Sequence, residues 1–144
     1  MSLHGSYDPD NVFAKIIRGE MPCVQVFDAP HTMGIMDVFP QSKGHMLVIH
    51  KISKARNILE VEHEHLCQIM EAVQHLARAA DRALKPDGIV ITQFNGAPAG
   101  QTVFHLHVHI IPRYEGAPAR AHASGQMADM AELEAIAAQI KQAL

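Results

Sequence analysis

Residues Phe104 to Pro112, Phe-His-Leu-His-Val-His-Ile-Ile-Pro, alternate one by one between imidazole and aliphatic side chains. Strict alternation predicts a β-strand with one face on a core, closed by a proline that ends the ladder. Side chains on a strand repeat every second residue. His105, His107 and His109 therefore share one face, and Leu106, Val108 and Ile110 share the other. At a rise of ~3.4 Å per residue, successive rings on one face lie ~7 Å apart at the backbone. Three imidazolium ions in such a row repel one another, so at least one ring is expected to stay neutral near pH 7. A neutral imidazole has a lone pair and acts as nucleophile, base or metal ligand. One strand histidine is most simply a satisfied, half-buried residue. Three in register, with only aliphatics between them, point to chemistry.

The rest of the composition narrows the classes. A chain of 144 residues suits one domain with a sizeable core. Its net charge of −3 and lack of a basic block give no reason to expect nucleic acid or an anionic membrane as partner. No apolar run approaches the ~20 residues of a membrane span. Met1 to Ser6 lack the apolar core of a signal peptide. Cys23 and Cys67 are far apart and form no Cys-x-x-Cys, so both are read as free thiols of a cytoplasmic protein.

In chain order, residues 1–8 read as a loose tail. Asp10 is a plausible N-cap for a short helix, Asn11 to Arg18, ended by Gly19, with Phe13, Ile16 and Ile17 on one face. Residues 22–28 and Thr32 to Val38 read as a hairpin around Ala29-Pro30-His31, and His45 to His50 as a third strand. Connections this short favour an antiparallel meander. Val61 to Leu84 carries a helical stripe, in which Met70 reads as core filler; Gln68, His63, His65 and His75 read as surface residues. Gly88 to Phe94 is a fourth strand, Asn95 to Gly100 a loop of small residues, and Thr102 to Ile111 the fifth strand. Residues 113–126 read as a surface loop, and Met130, Leu133, Ile136, Ala137 and Ile140 mark a C-terminal amphipathic helix.

Two chemistries suit the row. Histidines at i and i+2 on a strand can share one metal ion, but the third lies ~13 Å from the first along an extended strand, far for ligands of one zinc. Alternatively the central imidazole attacks phosphorus. Its ring is then held in the right tautomer by a backbone carbonyl, a flanking histidine donates a proton, and Thr102 with loop amides stabilises the developing charge.

The run Gly-Gln-Thr-Val-Phe-His-Leu-His-Val-His-Ile-Ile-Pro-Arg, residues 100–113, resembles the signature of the histidine-triad (HIT) family, His-φ-His-φ-His-φ-φ with φ apolar. The resemblance extends over roughly residues 11–113, and Phe13 to Pro22 is similar to the branch of bacterial members and nucleoside phosphoramidases. It favours attack at phosphorus, because family members are nucleotide hydrolases and transferases acting at the α-phosphate. By that resemblance His107 is the nucleophile, His109 contacts phosphate and leaving group, and His105 and His45 support the site. Asn95, Gln101 and Thr102 match the phosphate-binding stretches. Asp37, with Val38 beside it, matches the acid that holds the ribose hydroxyls, and Val12, Phe13, Ile16 and Ile35 match the base pocket.

The chain departs from that pattern in two places. Where many bacterial relatives carry zinc-binding cysteines, Asn11 and Ala14 stand, and Ser53 replaces a later histidine, so no zinc is expected. Phe94 occupies a position that is often Asn. The resemblance implies one α+β HIT domain over residues 1–144, with core 11–113, a flexible tail 1–8, and a loop with C-terminal helix over 114–144. Its sheet has five antiparallel strands with one long helix packed on it. It also implies a homodimer, a purine nucleotide substrate, no cofactor, and hydrolysis of a nucleoside 5′-phosphoramidate or related adduct through a nucleotidyl-histidine. Hydrolysis of dinucleoside polyphosphates, nucleotide binding with little activity, and metal-dependent catalysis are the alternatives.

Overall fold

The computed structural model describes residues 2–120 and 126–144. Its elements are α1 (Val12–Ile17), β1 (Gln25–Asp28), β2 (Thr32–Met36), β3 (Met46–His50), α2 (His63–Leu84), β4 (Gly88–Thr92), β5 (His107–Arg113) and α3 (Met130–Gln142), with a 3₁₀ turn at Ala97–Ala99. The strands form one antiparallel five-stranded sheet in the order β1-β2-β3-β5-β4. This is the α+β architecture expected from the sequence.

Period-two alternation divides the sheet into two faces. Met46, Val48, Val108 and Ile110 join Ile69, Val73, Leu76 and Ala80 of α2 and Leu133, Ile136 and Ile140 of α3 in the larger core. On the other face Met33, Ile35, Leu47 and Ile49 pack against Phe13 of α1. The register pairs Leu47 with His109 and Ile49 with His107, so the imidazoles enter this second face beside aliphatic neighbours.

The strand that carries the row is shorter at its start than alternation predicts and longer at its end. Its ladder begins at His107, not at Thr102. β3 ends at His50, Lys51 donates back to His31 O at 2.8 Å, and nothing remains to pair with residue 105. Leu106 N donates to Ala55 O instead, at 3.0 Å. Pro112 does not end the strand; it pairs with Ile89 of β4. Pairing with β3 stops at Ile110, and Ser42 Oγ donates to Pro112 O on that side. The missing N–H therefore faces a gap where no ladder bond is required.

Other boundaries move for local reasons. Asn11, not Asp10, caps α1, its side chain accepting from Ala14 N at 2.9 Å. Met70, expected in the core, is 44% exposed, because the buried stripe runs through Ile69, Ala72, Val73 and Leu76. His63 and His75 are exposed as expected, but His65 stacks on buried His50 with ring centroids 4.2 Å apart. Gln68, expected to face water, accepts from His50 Nε2 at 2.7 Å. The expected loose tail is docked: Asn57 Nδ2 donates to Leu3 O at 2.8 Å, and Tyr7 Oη bonds His105 Nδ1 at 2.7 Å. Of the expected surface loop, residues 121–125 lie outside the described residues; Met1 of the tail does too.

Gly34 sets how closely α2 approaches the sheet. A Cβ there would lie 2.5 Å from Leu76 Cδ1 and 3.3 Å from Val26 Cγ2, and Leu76 is fully buried. Gly34→Ala is therefore expected to destabilise the fold by about 1–3 kcal/mol, the usual range for overpacking. Urea unfolding of the two proteins measures it; equal midpoints would show that the helix shifts without cost.

Candidate active site

Each of the buried imidazoles has its proton placed by a backbone group or a neighbouring ring. His107 Nδ1 donates to His105 O at 2.7 Å, which puts the lone pair of the neutral ring on Nε2. His105 Nε2 donates to His50 O at 3.2 Å, so its Nδ1 is an acceptor for the Tyr7 hydroxyl. Gln41 N donates to His45 Nδ1 at 3.0 Å, which leaves the proton of His45 on Nε2. That proton faces His109 Nδ1 at 2.9 Å, and His109 in turn carries its proton on Nε2. The rings of His107 and His109 are 5.1 Å apart and T-shaped. A ring with its lone pair on Nε2 thus stands beside a ring with N–H on Nε2, a nucleophile next to a hydrogen-bond donor.

The walls of this site are aromatic. Phe13 meets His107 edge-on with centroids 4.8 Å apart, and Phe94 meets His109 at 5.5 Å. Gly100 packs on the Phe94 ring, where a Cβ would lie 3.3 Å from Cδ1. The Phe94 ring therefore braces the third histidine by packing. Burial dominates the electrostatics of His105. Desolvation outweighs the favourable bond to the His50 carbonyl, and its pKa falls from 6.5 to about 4. Burial also lowers the pKa of His50, whose Nδ1 accepts from Ile52 N at 3.1 Å and Ser53 N at 2.9 Å.

The residues singled out from sequence divide into three groups. His45, His105, His107 and His109 come together. Val12, Phe13, Ile16 and Ile35 also form one apolar cluster, joined by Cys23 and Val103. Val38 does not join them; the strand has ended at Met36, and Val38 packs with the larger core while its carbonyl accepts from Ala128 N at 2.9 Å. Asp37 accepts from Phe39 N at 2.8 Å through one oxygen, and the other lies 3.4 Å from His45 Nε2. Gln101 turns inward, and the half-buried Asn95 bonds across to the Ile58 loop. Gln101 Nε2 donates to Arg56 O at 2.7 Å and its Oε1 accepts from Gly96 N at 2.8 Å. Asn95 Oδ1 accepts from Ile58 N at 3.0 Å. Both side chains brace the loop, and the exposed Thr102 is the member of this stretch open to a ligand. Sequence reasoning missed Tyr7, Gln41 and His50, none of which carries a pattern.

Two metal questions have structural answers. Asn11 is used as a helix cap, Ala14 offers no ligand atom, and Ser53 Oγ accepts from Ala55 N at 3.1 Å, so these positions do not fit zinc. Asp37, His45 and His109 bring ligand atoms within 4.8 Å of one another. His45 Nε2 lies 2.9 Å from His109 Nδ1 and 3.4 Å from an Asp37 oxygen, so the same atoms that could hold a metal ion are joined by hydrogen bonds.

The antiparallel sheet presents this row of imidazoles on one face. A family model described as the HIT domain matches residues 18–116, and the chain belongs to that family, the histidine-triad proteins. It is 41% identical over 103 residues to Protein hit of Bacillus subtilis, spanning 72% of this chain and 70% of that protein. It is 35% identical over 102 residues to the adenosine 5′-monophosphoramidase hnt1 of Schizosaccharomyces pombe, spanning 71% and 73%. A solved Hit-like protein from Bartonella henselae, described as involved in cell-cycle regulation, superposes with a TM-score of 0.88 at 42% identity, covering 96% of this chain and all of that one.

The depressed pKa of His105 gives the fold an acid dependence. In the unfolded chain the ring titrates near its ordinary ~6.5. Between about pH 4 and 6.5 the unfolded state binds a proton that the folded state refuses, so stability rises with pH across that window. His50 is shifted the same way. Acidification through the window is expected to remove up to about 3 kcal/mol at His105. Denaturant unfolding at several pH values measures the slope, and His105→Asn is expected to flatten it. An undiminished slope in that variant assigns the acid loss to other groups.

Proposed function

We propose that this protein hydrolyses purine nucleoside 5′-phosphoramidates, or related nucleotidyl adducts, through a covalent nucleotidyl-His107. The carrying observation is the 2.7 Å bond from His107 Nδ1 to the His105 carbonyl, which directs the lone pair of the neutral ring to Nε2. That nitrogen attacks the α-phosphorus while the bond to the leaving amine breaks. The amine takes its proton from solvent as it leaves, while His109 Nε2–H and the Thr102 hydroxyl donate hydrogen bonds to the phosphoryl oxygens. Water then attacks phosphorus, the P–Nε2 bond breaks, and a nucleoside monophosphate leaves with His107 regenerated. The proton of that water returns to solvent.

The other assignments follow the same reading. Val12, Phe13, Ile16 and Ile35 form the slot for the base, and Asp37 at its edge takes the ribose hydroxyls. Asn95 and Gln101 hold the phosphate loop in shape, and His45 and His105 support the reacting rings. A homodimer is supported by β4, an edge strand with Val90 39% and Ile91 42% exposed, which suits sheet-to-sheet pairing. The phosphoramidase named among the relatives supports the choice of leaving group. Two free cysteines among the described residues suit a cytoplasmic location.

Rapid quenching with an adenosine 5′-phosphoramidate, followed by mass spectrometry, is expected to find adenylate on His107. His107→Ala is expected to lose at least about 10³-fold in turnover, as removal of a nucleophile does. Full turnover in that variant, or an adduct on another residue, would end the mechanism. Faster hydrolysis of diadenosine polyphosphates than of the phosphoramidate would instead reassign the leaving group.

A further inference from the structure

The segment ahead of α1 lies outside residues 18–116, which the family model matches, yet it is fastened to the site. Ala97 N donates to Ser2 Oγ at 3.0 Å, and Asn57 Nδ2 to Leu3 O at 2.8 Å. At its far end Tyr7 reaches His105, with Oη 2.7 Å from Nδ1 and ring centroids 5.7 Å apart. The direction of that bond is fixed. His105 Nε2 must carry a proton to bond the His50 carbonyl, so Nδ1 is an acceptor and the phenol is the donor. His105 is 2% exposed, and the Tyr7 bond and the His50 bond together occupy both ring nitrogens. Its third polar group, the carbonyl, accepts the His107 Nδ1 proton.

We propose that Tyr7 is a positioning residue. Its hydroxyl locks His105 in the Nε2–H tautomer and in one ring plane, and so steadies the carbonyl that orients His107. Without that hydroxyl, Nδ1 becomes a buried acceptor with no donor. Two responses are open to the ring. It can move its proton to Nδ1 and abandon the His50 carbonyl, or it can turn and take its own peptide plane with it. Either response loosens the bond from His107 to the His105 carbonyl. The catalytic consequence rests on His107 being the nucleophile, whereas the tautomer lock does not.

The test is Tyr7→Phe in the full chain, which keeps the ring and removes only the hydroxyl. In protein labelled with ¹⁵N-histidine, the His105 Nδ1 resonance is expected to move toward that of an unbonded acceptor, with partial protonation at Nδ1. Turnover of the phosphoramidate is expected to fall about fivefold in kcat, the effect of one buried hydrogen bond, with KM within about twofold. A variant that melts earlier but keeps both the His105 resonances and kcat would reduce Tyr7 to packing and overturn the proposal. Unchanged His105 resonances overturn it whatever the rate. The spectra decide the lock even in a protein whose adduct never forms on His107, so the two readings fail separately.

Discussion

The bond between the His107 ring and the His105 carbonyl is possible only because the ladder starts where it does. In a paired strand, main-chain carbonyls are consumed by the neighbouring strand. Arg113 O accepts from Asp87 N, so the odd-numbered carbonyls of β5 face β4, and β4 stops at Thr92, which pairs with His109. The carbonyl of residue 105 is thereby released to bond the ring two residues on, at 2.7 Å. A strand paired from Thr102, as simple alternation suggests, would have spent that oxygen in the sheet. The short ladder and the placement of the ring proton are the same fact seen at two scales.

Burial gives the network its character. His45, His50, His105 and His109 are each at most 2% exposed. Charging a buried ring without a partner costs several kcal/mol, and proteins avoid it by keeping the ring neutral and giving each nitrogen a defined role. The backbone supplies those roles: Gln41 N to His45, Ile52 N and Ser53 N to His50, and the His50 carbonyl to His105. The relay from Gln41 through His45 to His109 is a chain of such single assignments. A network satisfied in this way holds its protons in place before any ligand arrives, which is the preorganisation that attack and proton transfer need.

The two faces of the sheet divide the labour. Val108 and Ile110 anchor β5 against α2, where Leu76 packs close to Gly34. That face supplies most of the buried apolar area, so the opposite face can carry polar rings without losing the fold. The apolar cluster around Phe13 then partly desolvates the rings, Phe13 meeting His107 at 4.8 Å.

Much of this was legible in the residues alone, because period and chemistry are local. Alternation through residues 104–112 determined that three imidazoles share a face and three aliphatics the other, and the stripe in α2 placed the long helix. Val12, Phe13, Ile16 and Ile35, grouped from the sequence, pack into one apolar cluster. What only the tertiary structure decided is who bonds whom across the chain. That Tyr7 meets His105 across 98 residues, that Gln101 turns inward to brace a loop, that Val38 packs with the larger core, and that Pro112 stays within the strand all depend on where distant segments end. Hydrogen-bond direction belongs to that level too. A sequence states which side chains can accept or donate, but the tautomer of each ring is settled by the particular carbonyl or N–H that the fold sets against it.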